Sequence, residues 1–256
     1  MSFKNKTVVV TGGAKGIGEG CARIFYRDDA NVVILDVDKA AGNALCEELP
    51  ERSLFIECDI SKEVQVRSAM KKAADTFGGI DVLVNNAGIM KYASVTDTTE
   101  EVWDEIMNTN LKGAYFCAKH AIPYMQEKGT GVIINMSSAQ AFMAQDKVAA
   151  YATSKTAMLG LTRSIAVDYA PTIRCVAICP GGIDTPLNRQ AFANSPDPEA
   201  TEQATIDIHL VKRLGTMKDI GEMVAFAASE KGSFLNGHPI RIDGGIGVQI
   251  GGSGAD

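Results

Sequence analysis

Tyr151 and Lys155 are the two residues whose types and spacing most directly suggest acid–base chemistry. They lie four residues apart in a stretch with a helical pattern, so their side chains share one helix face. A free phenol has a pKa of about 10, and an adjacent ammonium favours the phenolate. Ser138 ends the apolar run before this helix, so its hydroxyl could steady a carbonyl oxygen in the same pocket. The alternative is an ordinary pair on a helix surface, because this spacing is common.

A glycine-rich turn near the start of the chain predicts a dinucleotide site. Residues 7–10 are apolar, residues 11–18 read Thr-Gly-Gly-Ala-Lys-Gly-Ile-Gly, and a helical pattern and a second apolar run follow. This is a βαβ unit, in which glycines let the backbone approach a pyrophosphate at the helix N-terminus. Asp36 ends the second strand, where a carboxylate can accept from the adenosine ribose hydroxyls. The alternative is a plain strand-to-helix turn with Asp36 as a helix cap.

Further polar residues follow other apolar runs. Ligands of parallel sheets lie beyond the carboxyl ends of the strands, so these residues predict one shared site. Asp59 could meet the adenine amino group, and Asn85 and Gly88 would continue the floor of the cofactor site. Each residue taken singly is as well explained as a turn at a strand end, so their joint occurrence carries the prediction.

The apolar pattern predicts strands and helices that alternate along the whole chain. Predicted strands lie at residues 7–10, 32–36, 54–58, 81–84, 132–136, 173–179 and 240–243, and helices at 16–27, 38–49, 62–77, 99–128, 148–169 and 218–229. The strands are apolar on both sides, as in a parallel sheet covered by helices. We expect an α/β fold with a single Rossmann-like, doubly wound parallel sheet of about seven strands and helices on both faces.

The remaining segments complete the expected organisation. The long helix at 99–128 should be interrupted near 108–113, and the proline-containing stretch 184–212 should be a loop with one or two short helices. We expect residues 1–256 to form one dinucleotide-binding and catalytic domain, with a substrate lid at about 184–212. The tail after Gly251 is rich in glycine and serine and is expected to be mobile.

Composition excludes several classes of function. The 256 residues are 46% hydrophobic and 22% charged, which supplies a sizeable core and gives no case for disorder. The net charge of −6 argues against a nucleic-acid or anionic-membrane surface. The six cysteines form no CxxC pair and favour reduced, buried thiols in a cytoplasmic protein. We find no signal peptide, no membrane-length apolar run and no metal-ligand pattern.

In order and spacing, these motifs together resemble the short-chain dehydrogenase/reductase family in its common form, which is about the length of this chain. The resemblance covers nearly the whole sequence. It rests on Thr11-Gly12-x-x-x-Gly16-x-Gly18, Asn85-Asn86-Ala87-Gly88, Asn110 within Asn-Thr-Asn-Leu-Lys-Gly, Ser138, Tyr151-x-x-x-Lys155 and Pro180-Gly181.

The resemblance implies a catalytic tetrad of Asn110, Ser138, Tyr151 and Lys155. Tyr151 would be the acid/base for the substrate hydroxyl, Ser138 its orienter, Lys155 also a ligand of the nicotinamide ribose, and Asn110 the holder of a water chain. A polar interruption in a long helix, which frees a backbone carbonyl, fits this role of Asn110. Cofactor contacts are expected from Gly12, Lys15, Gly16, Ile17, Gly18, Asp36, Asp59, Ile60, Asn86, Gly88, Tyr151, Lys155, Pro180, Gly181, Ile183 and Thr185.

The expected cofactor is NAD rather than NADP. Asp36 would face the 2′-phosphate of NADP at contact distance, where the charges repel. Lys15 argues in the opposite direction, because a basic residue in the glycine loop could reach that phosphate.

Three positions depart from the family pattern. Asp29 stands where a helix-ending glycine is common, Ala177 where asparagine is common, and the loop at 170–174 looks shortened. None of these departures touches the tetrad.

The sequence therefore predicts an NAD-dependent oxidoreductase that transfers hydride between its cofactor and a secondary alcohol or ketone. The expected substrate is a hydroxylated ring, such as a sugar, cyclitol or cyclic hydroxy acid. Hydroxysteroid oxidation is the alternative, and a non-catalytic, NAD-binding redox sensor ranks after both. This ranking rests on the side chains expected to line the pocket, which are both polar and apolar. The polar or charged ones are Gln140, Gln145, Asn188, His209, Lys91 and Arg189, and the apolar ones are Phe142, Met143 and Phe192. We expect His209 itself to lie on the lid surface and have no catalytic role.

The protein is also expected to be a homo-oligomer, and the resemblance suggests a tetramer. The predicted helix at 149–169 carries only three charged residues, and apolar or small residues occur around its circumference. Such a helix is buried on one side by its own sheet and on the other by a partner.

Overall fold

A computed structural model describes residues 1–248 of the chain, so the prediction for the tail after Gly251 lies outside the described residues. The strands are β1 (Thr7–Thr11), β2 (Asn31–Asp36), β3 (Ser53–Glu57), β4 (Val82–Asn85), β5 (Gly131–Met136), β6 (Ile173–Pro180) and β7 (Pro239–Ile242). The α-helices are α1 (Gly16–Arg27), α2 (Lys39–Glu48), α3 (Glu63–Phe77), α4 (Glu100–Met107), α5 (Gly113–Glu127), α6 (Ala149–Tyr169), α7 (Pro186–Ala193), α8 (Pro198–Asp207) and α9 (Met217–Ala228).

The seven strands form one parallel sheet in the order β3-β2-β1-β4-β5-β6-β7. The order reverses beside β1, which pairs with β2 on one side and with β4 on the other. In open parallel sheets this reversal opens a crevice at the carboxyl ends of the strands, where ligands bind. The predicted doubly wound fold of about seven strands is confirmed.

Helices cover both faces of the sheet because successive residues of the central strands point to opposite sides. Val8 and Val10 belong to the core shared with α1 and α9, whereas Val9 belongs to the core shared with α3 and α5. All three valines are fully buried. Apolar residues at consecutive positions are therefore required on these strands, as the sequence pattern indicated.

The helix ends follow local sequence signals. The first helix is followed by Asp29, whose φ of 71° is in the left-handed region that glycine usually occupies at such a position. Asp tolerates that conformation better than most residues, so its presence there requires no change in the fold.

The stretch 184–212 contains two short helices, as predicted. Thr185 and Asp197 cap them through side-chain oxygens, and Pro186 and Pro198 occupy their first turns. Proline fits the first helical position because its missing N–H has no partner there anyway. The prolines that suggested an irregular loop are thus helix starts.

The long helical region is interrupted where the sequence predicted it. The segment Asn108–Lys112 forms a π-helical turn between α4 and α5. Elsewhere the element boundaries differ from prediction by a residue or two; β3, for example, begins one residue earlier and ends one residue earlier than expected.

The outer face of α6 is less apolar than the sequence suggested. Met158 and Ile165 are buried against the sheet, whereas the exposed positions include Thr156, Ser164 and Val167. The helix therefore has a small, largely polar outer stripe rather than an apolar surface all round. Within residues 1–248, none of the helices combines the length and apolar character needed to span a bilayer.

Candidate active site

The glycine turn after β1 is held closed by Asn86. Its side-chain amide donates to the carbonyl oxygens of Thr11 and Gly12 at 3.0 and 2.9 Å, and a Cβ on Gly18 would lie 2.0 Å from the Gly12 oxygen. Gly12 has a φ of 58°. Asn86 was predicted to contact the cofactor, but the structure commits both of its amide protons to the turn. Its side chain therefore supports the glycine turn that the sequence predicts to bind the cofactor.

The first turn of α1 is suited to bind an anion. Gly16 has a φ of 59°, and the preceding residue, Lys15, is extended and provides no side-chain cap. The N–H groups of Gly16, Ile17 and Gly18 therefore have no capping side chain and can donate to a phosphate, which the positive end of the helix dipole also favours.

Asp36 is fixed at the end of β2, beside this turn. Its carboxylate accepts from the N–H groups of Ala14 and Asp38, both at 3.0 Å. Lys15 is directed to Asp38, with its Nζ 2.6 Å from the carboxylate oxygen, and this hydrogen bond raises the pKa of Lys15. Asp36, which favours NAD, and Lys15, which could favour NADP, thus both form a hydrogen bond with Asp38 at the N-terminus of α2.

Asp59 and Ile60 follow β3 and lie farther along the crevice. Asp59 accepts from the Ser61 N–H at 2.9 Å and is only partly buried, so part of its carboxylate is open to a ligand. Ile60 is buried, and its side chain packs so closely on Gly113 that a Cβ there would lie 2.7 Å away. Ile60 could contact a cofactor through its backbone only, since its side chain belongs to the core.

The opposite wall of the crevice follows β6. Pro180 ends the strand, Gly181 and Ile183 follow, and Thr185 caps α7 by accepting from the Asn188 N–H. A Cβ on Gly16 would lie 3.6 Å from Thr185, so this wall meets the glycine turn directly. The structure therefore brings the two predicted halves of the cofactor site together.

Lys155 is buried at the carboxyl end of the sheet, 4% exposed. Its Nζ donates to the Met136 carbonyl at 2.9 Å and lies 5.6 Å from the centre of the Tyr151 ring. Burial lowers the pKa of Lys155 to about 8, because a buried ammonium loses its hydration. A Cβ on Gly88 would lie 3.3 Å from this Nζ, so the glycine leaves space beside the ammonium that a larger residue would narrow.

Tyr151 is paired with Ser138, as predicted. The hydrogen bond with Ser138 favours the phenolate, but burial has the larger effect, and the pKa of Tyr151 is raised. A neighbouring ammonium favours the phenolate, but in the protein without a bound cofactor this effect does not outweigh burial. Desolvation of the phenolate outweighs the neighbours, and the side chain is held as a neutral phenol.

Asn110 lies in the π-helical turn, fully buried. Its Oδ1 accepts from the Ile89 N–H at 2.8 Å, and its Nδ2 donates to the Ile89 carbonyl at 2.9 Å and to Ser154 Oγ at 3.1 Å. The side chain thus clamps the segment after β4 to α6, next to Lys155. Because its side-chain amide is engaged in these bonds, only the backbone carbonyl of Asn110 could take part in the chemistry.

Asn85 does not face the crevice. Its side chain is buried below the sheet edge, where Nδ2 donates to Asn135 Oδ1 at 2.9 Å and to the Ala114 carbonyl at 3.3 Å. Asn135 continues this network to Thr162. The predicted place of Asn85 in the cofactor floor is therefore wrong, because alternation along β4 points it toward α5.

Most polar residues that were assigned to the substrate pocket are bound within the protein. Asn188 donates to the Ile183 carbonyl at 2.7 Å, Arg189 forms ion pairs with Asp184 and Glu202, and Lys91 pairs with Glu105. These side chains already have partners within the protein, which weakens the polar inventory that favoured a hydroxylated substrate.

His209 is buried, 1% exposed, whereas the sequence suggested a surface position. The ring contacts the Thr205 carbonyl and the Gly182 N–H. The four-residue spacing of Thr205 and His209 could have indicated the contact with the Thr205 carbonyl. Nothing in the local sequence indicated the contact with the Gly182 N–H.

Cys179 is a second neighbour of Lys155 that the sequence did not single out. It is fully buried at the end of β6, and desolvation raises its pKa to about 11, so it is an uncharged thiol at neutral pH. Across residues 1–248, we find no cluster of three or more side chains suited to hold a metal ion.

Comparison with known proteins agrees with this geometry. A family model described as enoyl-(acyl carrier protein) reductase matches residues 12–247. The 3beta-hydroxysteroid dehydrogenase 2 of Eggerthella lenta is 36% identical over 246 residues, which cover 94% of each chain. Ligand-free aldohexose dehydrogenase from Thermoplasma acidophilum superposes with a TM-score of 0.92 at 36% identity, covering 99% of this chain and 98% of that one.

A short-chain dehydrogenase/reductase from Brucella melitensis, described as a glucose/ribitol dehydrogenase, has a TM-score of 0.89 at 30% identity, with coverage of 96% and 99%. The glycine turn, the Tyr151–Lys155 pair beside Ser138 and these relatives lead to one conclusion. The chain belongs to the short-chain dehydrogenase/reductase family and is an oxidoreductase.

Proposed function

We propose that this enzyme is an NAD-dependent dehydrogenase that interconverts a secondary alcohol and a ketone. The observation that carries the proposal is the neutral Tyr151 phenol, hydrogen-bonded with Ser138 and next to the buried Lys155 ammonium. When bound, the nicotinamide would supply or accept the hydride. Besides the hydride, carbonyl reduction needs a proton donor beside the carbonyl oxygen, and alcohol oxidation needs a base at the same place. A phenol that releases and recovers a proton meets both needs.

Tyr151 would move the proton in both directions. In reduction, the phenolic proton passes to the substrate oxygen while the carbonyl carbon gains the hydride. In oxidation, the phenolate takes the proton from the alcohol as the carbon loses the hydride. Lys155 would stabilise the phenolate by its charge, and Ser138 would orient the substrate oxygen. The catalytic set proposed is thus Ser138, Tyr151 and Lys155, with Asn110 positioning them.

The residues around the crevice fit a dinucleotide. The uncapped first turn of α1 offers N–H donors for the phosphates, and Gly16 and Gly88 leave space that a side chain would narrow. Asp36 supports NAD rather than NADP, because its carboxylate is fixed in place by two N–H groups. Lys15 forms its salt bridge with Asp38 rather than with Asp36.

For the substrate, we propose a hydroxylated ring, and Gln140 is the residue that supports it. Its backbone N–H donates to Ser138 Oγ at 3.1 Å, so the residue lies beside the hydroxyl that would orient the substrate oxygen. Its side-chain Oε1 is buried without a partner, and its Nε2 is 3.4 Å from Gln145 Oε1. A buried acceptor without a partner is costly, and a second hydroxyl on the substrate would satisfy it.

A hydroxysteroid is the second candidate, and a different observation favours it. Tyr92, Phe142, Leu187 and Leu210 are large apolar side chains that are 46–52% exposed in the segments expected to surround the pocket. An apolar rim of this kind suits a large apolar substrate. The Eggerthella lenta relative is described as a hydroxysteroid dehydrogenase, whereas the solved neighbours are described as sugar or polyol dehydrogenases.

A substrate panel followed by NADH absorbance separates these candidates. We expect a higher kcat/KM for a cyclitol or aldose than for a hydroxysteroid. The Q140L variant should lose at least about tenfold in kcat/KM for the polyol and retain activity on a simple secondary alcohol. A steroid preference above about tenfold would reverse the ranking. NADH binding without turnover of any alcohol would instead support a redox sensor.

The organisation of the protein is part of the proposal. We propose a single domain in which α7 and α8 form the substrate lid, and a cytoplasmic location, which the six free cysteines support. We also propose a homotetramer. Trp103 and Tyr115 are 38% and 46% exposed on neighbouring helices, and Phe234 is completely exposed near the edge strand β7. A monomeric mass in sedimentation at micromolar concentration would reject the oligomer.

A further inference from the structure

His209 links two parts of the molecule that are separate in sequence. It lies just after α8 and is 1% exposed, and its ring packs on the Gly181–Gly182 segment that follows β6. A Cβ on Gly181 would be 3.0 Å from Nε2, and a Cβ on Gly182 would be 2.9 Å from Cε1. The two glycines therefore admit the imidazole at a distance that any side chain would prevent.

Both ring nitrogens of His209 have assigned roles. Nδ1 lies 2.6 Å from the carbonyl oxygen of Thr205, which can only accept, so we assign the proton to Nδ1. Nε2 lies 3.0 Å from the backbone nitrogen of Gly182 and accepts its N–H. The ring is thus a neutral bridge that accepts on one side and donates on the other.

The bridge completes the hydrogen bonding of the segment after β6. The Gly181 N–H donates to the Ile242 carbonyl at 3.1 Å, and the Gly182 carbonyl accepts from the Gly215 N–H at 2.9 Å. The Gly182 N–H is satisfied by His209 alone among the described residues. Without the imidazole, this half-buried donor would lack its partner within the protein, and the segment would lose its connection to the lid.

We propose that His209 is a positioning residue that locks α8 of the lid to the Gly181–Gly182 segment and so shapes the nicotinamide end of the cofactor site. The part that concerns the cofactor rests on the proposed NAD site. The adenosine end is built by the glycine turn and Asp36, on the other side of the crevice. Loss of the bridge should therefore affect the two ends of the cofactor unequally.

Two substitutions separate the two bonds of the ring. In H209Q, the side-chain oxygen can reach the position of Nε2 and accept from Gly182. In H209N, the shorter amide can replace Nδ1 and donate to Thr205, but it does not reach Gly182. The two variants are matched in polarity, so a difference between them reports on the bond to Gly182.

Binding is measured with NADH and with ADP-ribose, which lacks the nicotinamide. We expect H209N to raise the Kd of NADH about tenfold and to leave that of ADP-ribose within about twofold, while H209Q stays within about threefold of wild type for both. Equal behaviour of H209N and H209Q would overturn the proposal, as would an equal loss of both ligands in H209N.

Hydrogen exchange in the ligand-free protein gives a readout that does not depend on the cofactor. The peptide covering residues 181–185 should exchange at least about tenfold faster in H209N than in wild type or H209Q, and the peptide of β1 should be unchanged. Failure of wild type to bind either nucleotide would contradict the proposed NAD site, and the exchange rates would still decide the role of His209.

The bridge can also be tested without substitution. In a spectrum of protein labelled with ¹⁵N-histidine, the resonances of His209 should show the neutral ring with its proton on Nδ1. A proton on Nε2 would contradict the bond from Gly182 even if H209N failed to fold.

Discussion

The buried ammonium of Lys155 should make the protein less stable than it would be with an apolar side chain at this position. The variant that tests this is K155M, which removes the charge and leaves an unbranched apolar side chain one atom shorter. Lys155 is 4% exposed, and burial lowers its pKa from 10.5 to about 8. At about 1.4 kcal/mol per pH unit, this corresponds to roughly 3 kcal/mol of destabilisation at neutral pH.

The stabilisation expected from removing the buried charge is partly offset in K155M. The Met136 carbonyl loses the donor that Lys155 provides at 2.9 Å, which costs about 1 kcal/mol. We therefore expect K155M to be more stable than wild type by about 2 kcal/mol at pH 7.

The effect should depend on pH in a defined direction. Because the pKa of Lys155 is lower in the folded protein, the unfolded chain binds more protons between about pH 8 and 10.5, and wild-type stability from this group rises across that window. The advantage of K155M is therefore fully present below about pH 8 and shrinks as the pH approaches 10.5.

Urea unfolding followed by circular dichroism, at one protein concentration, provides the measurement. K72M is the matched control, since Lys72 is exposed on α3 and its replacement should change stability by less than about 0.5 kcal/mol at pH 7. If K155M were no more stable than wild type at pH 7, the inferred cost of burying the ammonium would be wrong.

Three further predictions concern the cofactor site and the acid–base residue. D38N should free Lys15 from its ion pair, while the asparagine still caps α2. The ratio of kcat/KM with NADP to kcat/KM with NAD should then rise, and an unchanged ratio would show that the ion pair does not restrain Lys15. G88A would place a Cβ 3.3 Å from the Lys155 ammonium, and this crowding should lower kcat about tenfold or more. The control is G160A, whose new Cβ would have its nearest neighbouring atom at 4.0 Å and should leave kcat unchanged; equal kcat values for the two variants would contradict the effect of crowding. Because the pKa of Tyr151 is raised, kcat/KM for alcohol oxidation should increase with pH up to about pH 8, where Lys155 begins to lose its charge; a plateau already reached below about pH 7 would show a lowered pKa of Tyr151 instead.

The sheet and the reacting pair could be predicted from sequence because their signals are local. Runs such as Val8–Val10 specify a strand buried on both faces, and the four-residue spacing of Tyr151 and Lys155 places them on one helix face. Asp36 follows from the same logic, since it directly ends a strand of the βαβ unit.

Contacts between distant segments could not be predicted in this way. The burial of His209 depends on how α8 returns over Gly182, and the occupied side chain of Asn188 depends on the conformation of the chain before α7. The raised pKa of Tyr151 likewise depends on desolvation by the folded surroundings, which a sequence does not quantify.

The error at Asn85 was avoidable in part. Leu83 and Asn85 are two residues apart on β4, and Leu83 belongs to the core below α5. The period of two along a strand places Asn85 on that same face, away from the ligand crevice.

Acid–base catalysis by Tyr151 is tested most directly by NADH-linked turnover of wild type and Y151F, measured beside NADH binding by both. Phenylalanine keeps the ring and removes only the proton that the proposed mechanism moves. We expect Y151F to fold and to bind NADH like wild type, while kcat falls at least about 10²–10⁴-fold. Residual activity above about a tenth of wild type would contradict the role of Tyr151 as the acid/base.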